Sequence, residues 1–130
     1  MVRAVVFHHN ADIREQLVDA FRHAGFITYD AADPQHAYQA VWTYRPQVVV
    51  TDFPALLHGS AGKPLTLTEA IRQAPAIQRT AVVNLCERED AEILREADGA
   101  GVTRTLPATT PMADIIAVVQ QVSRERGGDA

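Results

Sequence analysis

QVVVTD, residues 47–52, is the stretch of this sequence that decides its fold. Its three consecutive valines form an apolar, β-branched run, which is typical of a strand buried on both faces of a parallel sheet. The run ends on a carboxylate, Asp52, which such a strand delivers to the carboxyl edge of the sheet. Ligands and chemistry sit at that edge in open α/β sheets. Asp52 is therefore the first candidate functional residue.

The composition predicts one domain with an ordinary core, because 47% of the 130 residues are hydrophobic. We assign residues 1–126 to this domain and residues 127–130 to a disordered tail. The net charge of -4 argues against nucleic-acid binding by this domain. The single cysteine, Cys86, cannot form an internal disulfide, and we find neither a membrane span nor a signal-peptide pattern. We therefore expect a cytoplasmic location and no membrane partner.

Strands and helices alternate on the amino-terminal side of this stretch. Apolar runs predict strands at residues 3–7 and 26–29, and the helical spacing of apolar residues predicts a helix between them. Asn10 is placed to cap that helix and Gly25 to end it. A second helix is predicted to begin at Asp33-Pro34, where a capping side chain is followed by proline.

The same alternation continues after Asp52. A loop at residues 53–65 is longer than most connections between a strand and a helix, and Thr66 with Glu69 then matches a capping box that opens a short helix. The remaining elements are predicted as a strand at 80–85, a helix at 87–100 ended by Gly99 or Gly101, a strand at 102–106 and a helix at 110–126. Five strands alternating with five helices predict a doubly wound α/β fold.

The order of these elements and several short motifs resemble the receiver domain of bacterial two-component response regulators (CheY-like). The motifs are Val-Val-Val-Thr-Asp at 48–52, Ala-Asp-Ile-Arg at 11–14, Gly-Ala-Gly at 99–101 and Leu-Pro at 106–107. The resemblance implies a flavodoxin-like parallel sheet of five strands in the order 2-1-3-4-5, with helices on both faces. It also implies that Asp52 stands where the family's aspartate accepts a phosphoryl group.

The resemblance further implies an acidic pair after the first strand, which holds a magnesium ion during phosphoryl transfer. This chain has His8-His9 at that place. Mg²⁺ prefers hard oxygen ligands in octahedral geometry, and imidazole is a poor substitute. We therefore expect Mg²⁺ to be an unlikely cofactor here.

Three further positions depart from the family's pattern. Leu106 precedes Pro107 at the place of the lysine that pairs with the acyl phosphate, Cys86 replaces a hydroxyl residue, and Thr103, or nearby Arg104, lies where the switch aromatic is expected. The lysine's charge-assisted hydrogen bond contributes ~1.5–3 kcal/mol, and the metal contributes more. Losing both is expected to slow phosphoryl transfer by orders of magnitude. The sequence thus indicates an atypical receiver, or pseudo-receiver, which is not an enzyme.

The two histidines allow a different chemistry. With Asp52, and with Cys86 as a further candidate, His8 and His9 could bind zinc or another transition metal, whose usual ligands are imidazole, carboxylate and thiolate. His58 in the long loop could complete such a site. We favour the simpler interpretation that both histidines are polar residues at a solvated loop edge.

Asp52 and Cys86 each have a structural interpretation beside the functional one. Asp52 could accept a phosphoryl group or cap the turn that follows the strand. Cys86 could be a redox-sensitive thiol, because a following helix amino-terminus would favour the thiolate, although the nearby Asp52 would disfavour it. We favour a small buried residue for Cys86 and leave both interpretations of Asp52 open.

The favoured hypothesis is a signalling module that acts by binding a protein partner, which could be an output domain, a kinase or a second copy. By resemblance, the contact face is built from the fourth helix, the fifth strand and the fifth helix, so residues 87–100 and 110–126 would carry it. The loop at 53–65 is the candidate switch element.

One alternative is a phosphoaccepting receiver of a two-component phosphorelay using Asp52. The other is a metal- or small-molecule sensor using His8, His9 and Asp52.

Overall fold

The computed structural model describes residues 1–58, 64–88 and 90–127. The strands are β1 (Arg3–Val6), β2 (Ile27–Asp30), β3 (Val48–Thr51), β4 (Leu56–Leu57), β5 (Leu65–Thr66), β6 (Ala81–Cys86) and β7 (Arg104–Pro107). The helices are α1 (Ala11–His23), α2 (Pro34–Tyr44), α3 (Leu67–Gln73), α4 (Ala91–Ala100) and α5 (Met112–Gly127).

Strand β3 lies at the centre of the main sheet. The sheet has five strands in the order β2-β1-β3-β6-β7, and every neighbouring pair is parallel. Val49 pairs with Val5 of β1 on one side and with Val82 of β6 on the other. Since β4 and β5 form a separate hairpin, this order is the predicted 2-1-3-4-5, and the flavodoxin-like fold is confirmed.

The valines of β3 contribute to two hydrophobic cores, one on each face of the sheet. Val48 and Val50 face the core that α1 and α5 cover, whereas Val49 faces the core that α2 and α3 cover. Side chains alternate between the faces of a strand, and here helices bury both faces. This arrangement explains the uninterrupted apolar run, because a strand with one solvated face would alternate apolar and polar residues.

The hairpin of β4 and β5 occupies the ends of the long loop. Leu56 pairs with Thr66 and Leu57 with Leu65, in antiparallel register. Two-residue strands are too short for a periodicity argument, so the sequence predicted only a loop here. Residues 59–63, inside the predicted switch element, lie outside the described part of the chain.

The predicted boundaries need correction at two helices. Helix α4 begins at Ala91 with Asp90 as its N-cap, so the chain after β6 forms a loop where the sequence predicted the helix to begin at residue 87. Helix α5 extends to Gly127, one residue into the predicted tail, and residues 128–130 are outside the described range. Among the helices of the described residues, none combines the length and apolar character needed to cross a bilayer.

Gly101 and not Gly99 ends α4, which gives a matched pair of substitutions. Gly101 has φ +104°, and a Cβ there would lie 2.9 Å from Cγ of Arg72, whereas a Cβ at Gly99 would have no neighbour within 4 Å. We expect Gly101→Ala to lower the free energy of unfolding by about 1–3 kcal/mol. Gly99→Ala is expected to raise it by up to about 1 kcal/mol, because Gly99 lies within the helix. Urea unfolding of both variants checks this, and equal effects would contradict the assigned helix end.

The stabilisation that Asp33 contributes at the start of α2 depends on pH. Its carboxylate accepts the backbone N–H of His36 at 2.7 Å, and this hydrogen bond lowers the pKa of Asp33. Because the folded pKa lies below the unfolded one, the stabilisation is present above the unfolded pKa and is lost as pH falls through the folded pKa. We expect Asp33→Asn to keep the cap but to lose less stability than wild type on acidification. Urea unfolding at neutral pH and at about pH 3 measures this difference, and identical losses would contradict the prediction.

Candidate functional site at the carboxyl edge of the sheet

Asp52 follows directly after β3, at the carboxyl edge of the sheet, and only 12% of its side chain is exposed. His8 and His9 follow the neighbouring strand β1, and Glu87 follows β6 on the other side of β3. His9, Asp52 and Glu87 line a cavity of about 330 Å³ together with Cys86 and other residues. The topology therefore brings four of the predicted site residues to one edge, together with Glu87, which was not predicted as a site residue.

His8 is buried, with 1% of its surface exposed, so the predicted solvated position is wrong for this residue. Its Nδ1 accepts the backbone N–H of Asn10 at 3.1 Å, and its Nε2 lies 3.1 Å from the carbonyl oxygen of Leu85. A carbonyl can only accept, so Nε2 carries the proton and donates. His8 is thus a neutral imidazole with both ring nitrogens in use, which ties the end of β1 to the end of β6.

His9 has the opposite environment, because 62% of its side chain is exposed. Its Nδ1 contacts Oδ2 of Asp52, and its Nε2 lies 2.8 Å from Oε1 of Glu87. Carboxylates only accept hydrogen bonds, so both contacts are hydrogen bonds when both ring nitrogens carry protons. The geometry therefore fits an imidazolium cation held between two carboxylates. We call His9, Asp52 and Glu87 the His9 clamp.

Asn10 supports the His9 clamp from the side of α1. Its Nδ2 donates to Oε2 of Glu87 at 3.2 Å, while its Oδ1 accepts the backbone N–H groups of Asp12 and Ile13. The N-cap predicted for α1 is confirmed, and the same side chain also positions the second carboxylate of the clamp. Sequence reasoning missed Glu87 because it placed this residue inside a helix.

The fold compares closely with solved receiver domains. CheY4 of Vibrio cholerae matches at a TM-score of 0.78 with 19% identity, covering 94% of this chain and 98% of that one. The receiver domain of NarL from Mycobacterium tuberculosis matches at 0.78 with 20% identity, covering 95% and 96%. That of the Francisella response regulator 1452 matches at 0.78 with 18% identity, covering 96% and 98%. The chain has the receiver fold. No family model matches the sequence, and no curated protein matches it.

The receiver fold implies a Mg²⁺ ion beside Asp52, but the residues present do not fit it. Of the positions that the resemblance assigns to the acidic pair, His8 faces the backbone of Leu85 and His9 presents a ring nitrogen to Asp52. Neither supplies the hard oxygen ligand that Mg²⁺ requires. The two carboxylates of this edge, Asp52 and Glu87, are both engaged by His9, so the available donors disagree with the metal that the fold implies.

A transition metal at the same place would have to compete with hydrogen bonds that His8 already makes. Ligand atoms of His8, His9 and Asp52 lie within 4.8 Å of one another, as a transition-metal site would require. However, Nδ1 of His8 already accepts from Asn10, and its Nε2 donates to Leu85. Any metal bound by all three residues must displace one of these hydrogen bonds. His58, the other predicted candidate, is exposed and is not part of the cluster.

Leu106, which the resemblance places at the receiver's lysine position, packs against the hydrophobic core. It is half-buried, pairs with Leu85 across β6 and β7, and packs against the core under α1 and α5.

The exposed Arg88, in the segment between β6 and α4, lines the cavity beside Asp52 and brings a positive charge to this edge.

Cys86 lies at the end of β6 and lines the cavity of the His9 clamp. It is half-buried, so the predicted small buried residue is wrong in that respect. The thiol donates a hydrogen bond to the backbone carbonyl of Arg88. This contact holds the thiol against the loop between β6 and α4.

Thr103, which the resemblance places near the receiver's switch-aromatic position, accepts hydrogen bonds from two donors. Its Oγ1 accepts the backbone N–H of Val82 at 3.0 Å and Nη2 of Arg72 at 3.3 Å. Arg72 also donates to the carbonyl oxygens of Gly101 and Thr80. A hydroxyl in such a network cannot perform the large rotamer change of an aromatic ring, because rotation would leave the Val82 N–H unpaired.

Proposed function

We propose that this chain is a signalling module with the receiver fold, which acts through protein contacts without Mg²⁺-dependent phosphorylation of Asp52. The contact between His9 and Asp52 carries this proposal. The His9 ring occupies Oδ2, one of the two carboxylate oxygens of Asp52 that could attack phosphorus. It also supplies locally the positive charge that Mg²⁺ would otherwise bring.

The electrostatics of the edge support the same conclusion. Phosphoryl transfer depends on positioning and on positive charge that neutralises the phosphoryl oxygens. In the His9 clamp the imidazole pairs with Asp52 and Glu87. Leu106, which packs against the core, stands at the position that the resemblance assigns to the lysine. An incoming phosphoryl group would therefore meet two carboxylates whose charges His9 only partly neutralises, with Arg88 as the one further cation among the described residues that line the cavity.

The predicted partner surface is the α4–β7–α5 face, which by resemblance mediates contacts in receivers. Only Ala97 of α4 is fully buried, and Arg104 and Thr105 of β7 are exposed. The partner would be an output domain, a kinase or a second copy, in the cytoplasm. Thr103 lies at the start of this face, and its hydrogen bonds support a face that keeps one conformation without phosphorylation.

A magnesium titration followed through backbone amide NMR signals tests the proposal. We expect no saturable shift of the amides next to Asp52 and His9, because His9 stands at the place of an oxygen ligand and engages both carboxylates of the site. Saturable shifts centred on Asp52 at physiological Mg²⁺ would contradict it. Asp52→Asn is the control, since shifts that persist in this variant would come from other carboxylates.

A phosphoaccepting receiver is the second candidate function, and one observation favours it. Oδ1 of Asp52 is buried and has no hydrogen-bond partner among the described residues, and Asp52 lines the cavity at this edge. An unpaired buried oxygen of this kind could meet a phosphoryl group if His9 moved away. Phosphorylation of the wild-type chain at Asp52 would favour this candidate over the first.

A metal sensor is the third candidate, favoured by the spacing of the ligand atoms of His8, His9 and Asp52. Calorimetric titration with Zn²⁺ distinguishes it from the others. Tight binding that His9→Ala abolishes would support a sensor, and equal affinity in both proteins would exclude His9 as a ligand.

A further inference from the structure

A second cavity lies at the opposite end of β3 from Asp52. Its volume is about 500 Å³, within the range of small-molecule sites. It is formed where β1 and β3 begin and by the segment between α3 and β6. Tyr44, Pro75 and Ile77 give it apolar walls. The ring of Tyr44 is fixed by stacking on Tyr29, with centroids 3.8 Å apart and planes 8° apart.

This cavity is lined by positive charge, whereas the chain as a whole carries a net negative charge. Arg3, Arg45 and Arg79 line it, and no aspartate or glutamate is among its lining residues, although the net charge of the whole chain is -4. Three arginines that line one cavity create a positive potential that attracts anions. We call this cavity the arginine pocket.

Arg45 is held in place before any ligand arrives. Its Nε donates to the carbonyl of Trp42 at 2.8 Å, its Nη1 donates to the carbonyl of Ala76 at 3.0 Å, and its guanidinium lies 5.0 Å from the Trp42 ring centroid. Its backbone is left-handed, with φ +50°, a conformation that is uncommon for a residue other than glycine. A guanidinium fixed in this way loses little conformational entropy when it binds an anion.

Arg3 supplies a cation that is free to bind. Its backbone N–H donates to Oε1 of Gln47 at 2.7 Å, which anchors the residue at the start of β1. Among the described residues, its side chain has no hydrogen-bond or ion-pair partner, and the residue is exposed at the pocket. The pocket therefore combines one fixed and one unengaged guanidinium with apolar walls.

We propose that the arginine pocket binds a small organic anion that carries a phosphate group and a flat apolar body, as a nucleoside monophosphate does. Guanidinium groups match phosphate oxygens with paired, charge-assisted hydrogen bonds. The apolar body lies against Tyr44, Pro75 and Ile77. Since Gln47 precedes β3 and Asp52 follows it, a ligand here does not touch the His9 clamp, and the pocket can be tested whether or not Asp52 accepts a phosphoryl group.

Titration of the isotope-labelled chain with AMP, followed by amide NMR, tests this site, with inorganic phosphate and adenosine as separate probes. We expect saturable shifts of Gln47, Ala76 and Thr80 with AMP, and weaker binding of phosphate or adenosine alone. Arg3→Ala is expected to weaken AMP binding about tenfold, because one charge-assisted interaction is lost. Arg3→Lys should keep part of the affinity.

Arg95→Ala is the matched control, since it removes the same charge from an exposed position on α4. It should leave AMP binding unchanged. Three results would overturn the proposal: no saturable shift with AMP at millimolar concentration, equal weakening by Arg3→Ala and Arg95→Ala, or equal affinity for AMP and inorganic phosphate. The last result would show that only the anion is recognised.

Discussion

Replacing His9 with aspartate is expected to permit Mg²⁺-dependent phosphorylation of Asp52, at a rate at least about a hundredfold above that of the wild-type chain. The substitution removes the ring that contacts Asp52 and supplies carboxylate oxygens at the place from which His9 contacts Asp52 and Glu87. A bound metal stabilises transition-state charge by several kcal/mol, and each ~1.4 kcal/mol is a factor of ten in rate. The variant still has Leu106 at the position that the resemblance assigns to a lysine. Its phosphorylation rate should therefore stay below that of a receiver with the complete site.

Intact mass, recorded over time with a small acyl-phosphate donor and Mg²⁺, measures this gain. His9→Ala is the matched control, because it removes the ring without adding an oxygen ligand, and it should stay close to the wild-type rate. The double variant His9→Asp with Asp52→Asn should gain no mass. Equal rates for His9→Ala and His9→Asp would mean that relief of the clamp, rather than metal binding, limits the reaction.

His8→Phe is expected to lower the free energy of unfolding by about 2–4 kcal/mol. Phenylalanine fills a similar volume, but it leaves the backbone N–H of Asn10 without its partner and removes the donor to Leu85. An unsatisfied buried polar group costs ~1–3 kcal/mol, so the loss of both contacts accounts for the range. Urea unfolding provides the measurement.

His9→Ala tests whether the neighbouring histidines have separate roles. His9 is exposed, and ion pairs of exposed side chains contribute ~0–1 kcal/mol, so this variant should unfold close to the wild-type midpoint. A loss as large as that of His8→Phe would contradict the assignment of His8 to structure and His9 to the clamp.

The contrast between His8 and His9 marks the limit of the sequence argument. The alternation of strands and helices, the burial of Val48 to Val50 and the position of Asp52 all follow from local patterns of residues. The partner of His8 is the carbonyl of Leu85, which is 77 residues away in the chain. Two adjacent histidines look alike in a sequence, so the sequence cannot show which of them is buried. The burial depends on how β6 packs beside β3.

Glu87 escaped prediction for a related reason. Its local sequence suited the start of a helix, and only the position of the N-cap at Asp90 leaves it in a loop at the site. The resemblance identified Thr103 and Leu106 as substituted positions, but it could not say what replaced the missing functions. The structure gives Thr103 a hydrogen-bonding role and Leu106 a place in the core.

Intact mass of the wild-type chain, after incubation with a small acyl-phosphate donor and Mg²⁺, tests most directly whether Asp52 has lost its phosphoacceptor role. Asp52→Ala serves as the control, and circular dichroism confirms that both proteins are folded. We predict no phosphoryl adduct on the wild-type chain, because His9 contacts the Asp52 carboxylate and replaces an oxygen ligand that Mg²⁺ would need. A phosphoryl adduct on the wild-type chain that is absent from Asp52→Ala would contradict this claim.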